Sequence, residues 1–245
     1  LTGGTTAPSV PADNTITNSG SEAAGNSSTN VNLSDKTTVS GDKAEATVDS
    51  DLGNKIVENA VENKATEVVI KAETSKGDST GASVTLPAET VQAIYEKTEA
   101  TVTIETDSAS ISLDQDALAA VAAQAGTTGE VKLIVEIREQ NKNKVEVDLK
   151  IVTDKGTVAD FNGGNVTVSV PGDKELAKKK LVCVYIDENG HMSKVKGQLN
   201  ADGTFTFTTG HFSTYAILAE EEADAAIAEQ KAAIKNIDIK LTSKQ

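Results

Sequence analysis

The chain has 245 residues and carries 37 acidic against 23 basic side chains, a net charge of -14. That balance excludes the basic footprint a nucleic-acid binder needs, and it disfavours anionic membranes. It suits a soluble monomer instead. Hydrophobic residues make up 38% of the chain and aromatics only 3%, so any core must be built from Val, Ile, Leu and Ala.

Residues 1–44 are rich in Thr, Ser, Gly, Asn and Ala, with Val10, Ile16, Val31 and Leu33 too sparse to show a period. Such a segment buries too little surface to offset its ordering entropy, and it is predicted to be a disordered tether. The chain opens at Leu1, without a signal peptide, and reads as a mature product or an excised fragment.

From 45 to 155 the pattern is strand–helix–strand, used more than once. Ala82 to Leu86 alternates as a strand and is followed by Pro87-Ala88-Glu89-Thr90-Val91-Gln92-Ala93-Ile94. Ala109 to Leu113 is followed by Asp114-Gln115-Asp116-Ala117-Leu118-Ala119-Ala120-Val121, so Leu86 aligns with Leu113, Glu89 with Asp116 and Ile94 with Val121. Acidic residues in the first turn of each helix suit the macrodipole, and Pro87 is placed in the opening turn of its own helix. Second strands follow at Thr101–Glu105 and Val131–Val135. A weaker upstream copy has Ala46-Thr47-Val48, helical spacing at Leu52, Ile56, Val57, Ala60 and Val61, then Thr66–Lys71. Shared aromatic or charged signatures are missing from the solvent-facing positions of the copies, which favours duplicated scaffold over a binding array.

The next segment, 156–220, together with the strand Val145–Ile151 before it, reads as all-β. Val166–Val170, Leu181–Ile186, Met192–Val195, Thr204–Thr208 and Ser213–Ala219 are separated by turn signals such as Asp187-Glu188-Asn189-Gly190 and Asp202-Gly203. An antiparallel β-sandwich is expected here. The fold class is thus α+β and β-rich. Residues 221–245 begin as a Glu/Ala-rich connector helix, and the alternation Asn236–Leu241 is expected to start a strand of a further, truncated module.

Chemistry-bearing residues are few. Cys183 is the one cysteine, so neither an intramolecular disulfide nor a Cys-based zinc site is available; its apolar neighbours predict burial. No cofactor or metal is expected. The Asp187–Gly190 turn lacks the alternating oxygen ligands of a calcium loop, and His191 and His211 lack a clear third ligand. Gly-x-Ser-x-Gly and phosphate-binding glycine patterns are absent, and no apolar run nears the ~20 residues of a membrane span. With no Trp, an aromatic sugar platform is not expected; Tyr95, at helical spacing from Val91, is read as packing. The remaining candidate is His211-Phe212-Ser213. It is either a buried corner capped by His211 and Ser213, or a self-cleaving site with His211 as base and Ser213 as nucleophile.

The stretch Val166–Leu218 resembles a module of large surface proteins in clostridia-like Gram-positive bacteria. The residues that carry the likeness are Glu188-Asn189-Gly190, Gly203–Thr209 and His211-Phe212-Ser213-Thr214-Tyr215-Ala216. The upstream Ser112-Leu113-Asp114-Gln115-Asp116-Ala117-Leu118 is similar to the segment that precedes it in such proteins. The resemblance implies an extracellular, cell-surface role in attachment, spacing or adhesion, with neighbouring modules of the same chain, host proteins or glycans as partners. The same ending is similar to ZU-type β-sandwich domains, some relatives of which cleave themselves between Phe and Ser. That likeness puts the bond Phe212–Ser213 at issue. A non-catalytic structural or adhesive module is the expectation, with glycan or mucin binding and autoproteolysis as alternatives.

Overall fold

A computed structural model describes residues 15–242 of the chain. The first strands are β1 (Ile16–Ser19), β2 (Ser28–Asn32), β3 (Thr38–Ser40) and β4 (Lys43–Thr47), which lead into α1 (Ser50–Glu62) and β5 (Glu67–Ala72). Then come β6 (Gly81–Pro87), α2 (Ala88–Lys97), β7 (Thr101–Thr106), β8 (Ser110–Leu113), α3 (Gln115–Ala125) and β9 (Glu130–Gln140). The remaining strands are β10 (Lys144–Thr153), β11 (Gly156–Thr157), β12 (Val166–Pro171), β13 (Leu181–Ile186), β14 (Met192–Val195), β15 (Gly197–Leu199), β16 (Thr204–Thr209) and β17 (Thr214–Ala219). The last helix is α4 (Glu220–Thr242). The fold is α+β and β-rich, as expected.

Local chemistry sets the helix starts. The Asp49 carboxylate accepts from Leu52 N at 2.8 Å and caps α1, and Asp114 accepts from Ala117 N at 2.8 Å and caps α3. Pro87 stands just before α2, at its N-cap, one position earlier than expected. The face Leu52, Ile56, Val57 and Ala60 of α1 is buried. Gly53 lets α1 approach α2 closely, since a Cβ there would lie 2.1 Å from Thr90 Oγ1. That hydroxyl is buried without a hydrogen-bond partner among the described residues.

The strands form two mixed sheets. The first runs β1-β2-β5-β7-β8-β12-β16-β15, and the second β14-β13-β17-β10-β9-β6-β4-β3, with β11 on β10. Each of the first three helices bridges the sheets. α1 leads from β4 in the second sheet to β5 in the first, and α2 leads from β6 in the second to β7 in the first. β4 pairs parallel with β6, and β5 parallel with β7, so these two units run side by side. α3 runs the other way, from β8 in the first sheet to β9 in the second. The units that share a pairing pattern are therefore 43–72 and 81–106, although the sequence likeness is greatest between 81–106 and 109–135. α1 packs on α2 and α2 on α3. Their apolar faces join one cluster that reaches both sheets, from Val31 and Leu33 to Phe205, Phe207 and Tyr215.

Four expectations change. Residues 1–14 of the expected tether lie outside the described residues, but 16–44 are not a tether: β1 pairs with β2, β2 with β5, and β3 with β4. Val31 and Leu33 are fully buried, while the inward positions Ser27 and Thr29 carry hydroxyls. Ser27 Oγ donates to Asn63 O at 2.6 Å and Thr29 Oγ1 to Asn18 Oδ1 at 2.9 Å, so buried polar groups are satisfied and the hydrophobic alternation is hidden. The boundary at 155/156 does not divide two cores either. β12 pairs with β8 and β17 with β10, which weaves the expected sandwich segment into the sheets of the helical units.

The helical segment from 221 is also more than a connector. Ala223 is buried and Ile227 packs with it against Val184, Ala216 and Leu218 on the second sheet. Gln230 fixes the contact: its Oε1 accepts from Met192 N at 2.9 Å and its Nε2 donates to Gly190 O at 2.8 Å. Finally, 236–241 is helix rather than strand. An isolated six-residue strand satisfies none of its backbone groups, whereas extending a formed helix adds one hydrogen bond per residue. Residues 243–245 of the expected connector lie outside the described residues.

Candidate functional site

The His211 corner is where the chain leaves the first sheet through β16 and enters the second through β17. β16 alternates Thr and Phe, so Phe205 and Phe207 point into the core and Thr209 ends the strand facing inward. β17 begins at Thr214, which turns Tyr215 inward, fully buried.

Tyr215 ties the corner together. Its phenol donates to the His211 carbonyl at 2.7 Å and lies 2.6 Å from the Thr209 hydroxyl. His211 N donates to Thr209 Oγ1 at 3.3 Å, and His211 Nδ1 is 3.2 Å from the phenol oxygen. A tyrosine whose hydroxyl bonds back to the backbone a few residues upstream is a known fastener of sandwich corners. Burial pushes the Tyr215 phenol up to about 12, against the hydrogen bond with Thr209.

The rings pack as tightly as the polar groups. His211 meets Tyr185 edge-on at 4.7 Å, Phe207 lies 4.8 Å from Tyr215, and Phe212 meets Phe161 edge-on at 5.1 Å. Ser213 faces elsewhere. Its hydroxyl reaches the Ile186 carbonyl at 3.5 Å, at the outer limit of a hydrogen bond, and its own carbonyl accepts from Leu149 N at 3.0 Å.

His211 and Ser213 are thus neighbours in sequence that serve different partners. A base must lie within hydrogen-bond reach of the proton it takes, and here His211 addresses Tyr215. Among the described non-glycine residues, positive φ occurs at Lys64 and Asn162, neither of them in the tripeptide. Sequence reading missed Thr209 and Tyr185 as members of the cluster. The signal for Thr209 was present: a threonine two residues before the histidine, with a tyrosine four after it.

The other candidates fall apart in space. His191 belongs to the Asp187 hairpin, where the Asp187 carboxylate accepts from Asn189 N and His191 N, each at 2.8 Å, and meets His191 Nδ1 at 3.1 Å. Among the described residues, no group of three or more His, Cys, Asp or Glu is arranged to hold a metal. Cys183 is fully buried in β13, and burial pushes its thiol far above the ordinary range. Among the described residues, no helix is long and apolar enough to cross a membrane.

Tyr95 departs from its expected role. Val91, one turn earlier on α2, is buried, but Tyr95 sits in the last turn and is 38% exposed. Its ring borders two clefts, one beside α1 and one beside α3. Comparison with family models, with curated proteins and with solved structures found no match.

Proposed function

We propose that this chain is a non-catalytic spacer and contact module of a bacterial cell-surface protein, acting as a monomer between neighbouring modules outside the cell. The resemblance of its ending to modules of Gram-positive surface proteins supports the location. The observation that carries the spacer reading is the placement of the first and last described elements. β1 forms one edge of the eight-stranded first sheet. α4 packs on β13, β14 and β17, at one edge of the second sheet. β13 touches β15 and β14 touches β16, so that edge lies by the β15 end of the first sheet, across from β1. At ordinary strand spacing the chain is carried roughly 30 Å sideways between the two. A module with opposed attachment edges suits a place in a linear array.

The sandwich-like stacking of the two sheets and the strand–helix–strand units serve this reading as stiff scaffold. The Tyr215 corner and the Gln230 clasp of α4 hold the exit edge in place. The acidic surface keeps adjacent copies apart. The reading is tested by labelling intact cells of the source organism with an antibody against this chain. Labelling without permeabilisation is expected. Labelling that requires permeabilisation contradicts it.

A further inference from the structure

We infer that the cleft between α2 and α3 beside Tyr95 is a binding site for a neutral pyranose chain. The inference goes beyond the spacer reading, which stands or falls without any ligand. The cleft has a volume of about 620 Å³ and is bordered by Tyr95, Gln92, Asp116 and Asn162, with Ala119 and Ala123 among the residues that line it. That size lies within the ordinary range of small-molecule sites.

The lining has the chemistry a sugar requires. A pyranose offers an apolar C–H face and a rim of hydroxyls. The exposed ring of Tyr95 supplies a flat apolar surface with a polar tip. Alanines keep the helix surface low, so a ring can lie against it. Asp116 stands exposed in the first turn of α3, and a carboxylate accepts from two adjacent hydroxyls. Asn162 adds an amide that both donates and accepts.

The polar groups are available and rigidly placed. The Asp116 carboxylate and the Asn162 side-chain amide take no hydrogen-bond partner among the described residues. Asn162 sits at φ 49°, in the left-handed region that asparagine tolerates in turns, with its N–H donating to the Asp160 carboxylate at 2.8 Å. Its loop is pressed onto α3 because Gly164 leaves no room: a Cβ there would lie 2.1 Å from Ala117 N. Gly164 N donates to Phe161 O at 2.8 Å, and Phe161 N to Gly210 O at 3.0 Å, which ties the loop to the His211 corner. Asn165 N and Nδ2 both donate to the Asp114 carboxylate, at 2.9 and 3.1 Å.

Charge selects the sugar class. With a net charge of -14 and a carboxylate in the cleft, the chain repels uronic and sialic acids. A neutral chain meets no such barrier.

The test uses the full chain with its tyrosines isotopically labelled. There are three tyrosines and no Trp, and Tyr185 and Tyr215 belong to the corner, so the ring signals of Tyr95 stand apart. Cellotetraose and the tetramer of N-acetylglucosamine are titrated to about 10 mM, tenfold above the ~1 mM dissociation constant of a shallow site. Saturable shifts at Tyr95 are expected with at least one of them. Tyr95→Ala should weaken binding about tenfold or more, while Tyr95→Phe keeps most of it. Asn162→Ala, on a separate loop, should also weaken binding and provides the control if Tyr95→Ala fails to fold. The absence of shifts at Tyr95 with both sugars, or equal binding by the Tyr95→Ala and Asn162→Ala variants, overturns the proposal. Tighter binding of sialyllactose overturns the assignment to neutral sugars.

Discussion

Two tyrosines define two kinds of region in this molecule. Tyr215 is fully buried, its hydroxyl engaged by Thr209 and by the backbone and ring of His211. Tyr95 stands 38% exposed at the end of a helix, between two clefts. At the corner His211 meets the Tyr215 hydroxyl through its carbonyl and Nδ1, and the Ser213 hydroxyl makes one long contact with the Ile186 carbonyl. Beside the Tyr95 ring, the Asp116 carboxylate of α3 and the Asn162 amide of the loop before β12 remain exposed. The His-Phe-Ser tripeptide draws the eye in the sequence, while Tyr95, Asp116 and Asn162 border an open cleft elsewhere.

The contrast is broken most forcefully by Tyr215→Ala. Deleting a buried ring with its hydrogen bonds should cost about 3–5 kcal/mol, read as a fall in the urea midpoint, while Tyr95→Ala should stay within about 0.5 kcal/mol of the parent. Comparable losses at the two positions would erase the distinction. The helix layer is probed next by Gly53→Ala. In an open helix that change stabilises by up to about 1 kcal/mol, but here the new methyl group meets Thr90, so a loss of about 1–3 kcal/mol is expected by thermal unfolding. A gain would mean that α1 and α2 are free to shift.

Alkaline pH reaches the buried region through Cys183 and Tyr215, in addition to the surface lysines Lys71, Lys144 and Lys194, whose carboxylate partners also raise their pKa values. Burial holds the Cys183 thiol and the Tyr215 phenol in their protonated forms, so their folded pKa values lie above the unfolded ones. Stability from such groups is complete below the unfolded pKa and is lost as pH rises toward the folded value. The decline should begin near pH ~8.5–9 through Cys183 and steepen between ~10 and about 12 through Tyr215. Cys183→Ala should remove the first limb and Tyr215→Phe the second, in denaturant titrations across that range. The smallest effect is expected from Ser213→Ala, under about 1 kcal/mol, because its hydroxyl makes one long contact.

Much of the fold was legible where side chains alternate cleanly. β10, β12 and β16 read directly because Val, Leu and Phe point inward and Thr, Ser and charged residues point outward. The strand β2 was hidden because Ser27 and Thr29, buried with hydrogen-bond partners, stand where the pattern asks for apolar residues. Which strands pair was not legible at all: nothing local tells β8 to join β12, or tells the helices to carry the chain from one sheet to the other. The terminal alternation of Ile237, Ile239 and Leu241 misled because a preceding helix can absorb it. At the corner, periodicity identified the buried Phe207 and Tyr215, but the closing network also depends on the Thr209 hydroxyl and on Tyr185, which comes from a different stretch of chain. Tyr95 was misread because i to i+4 spacing reports a shared helix face and not where the core ends.

The most direct test of the corner as a fastener is the intact mass of the purified chain after prolonged incubation at neutral pH. Because His211 and Ser213 face different partners, a single species near 25.4 kDa is predicted, identical in the parent and in Ser213→Ala. Two fragments joining at Phe212–Ser213 in the parent, absent from Ser213→Ala, would contradict it.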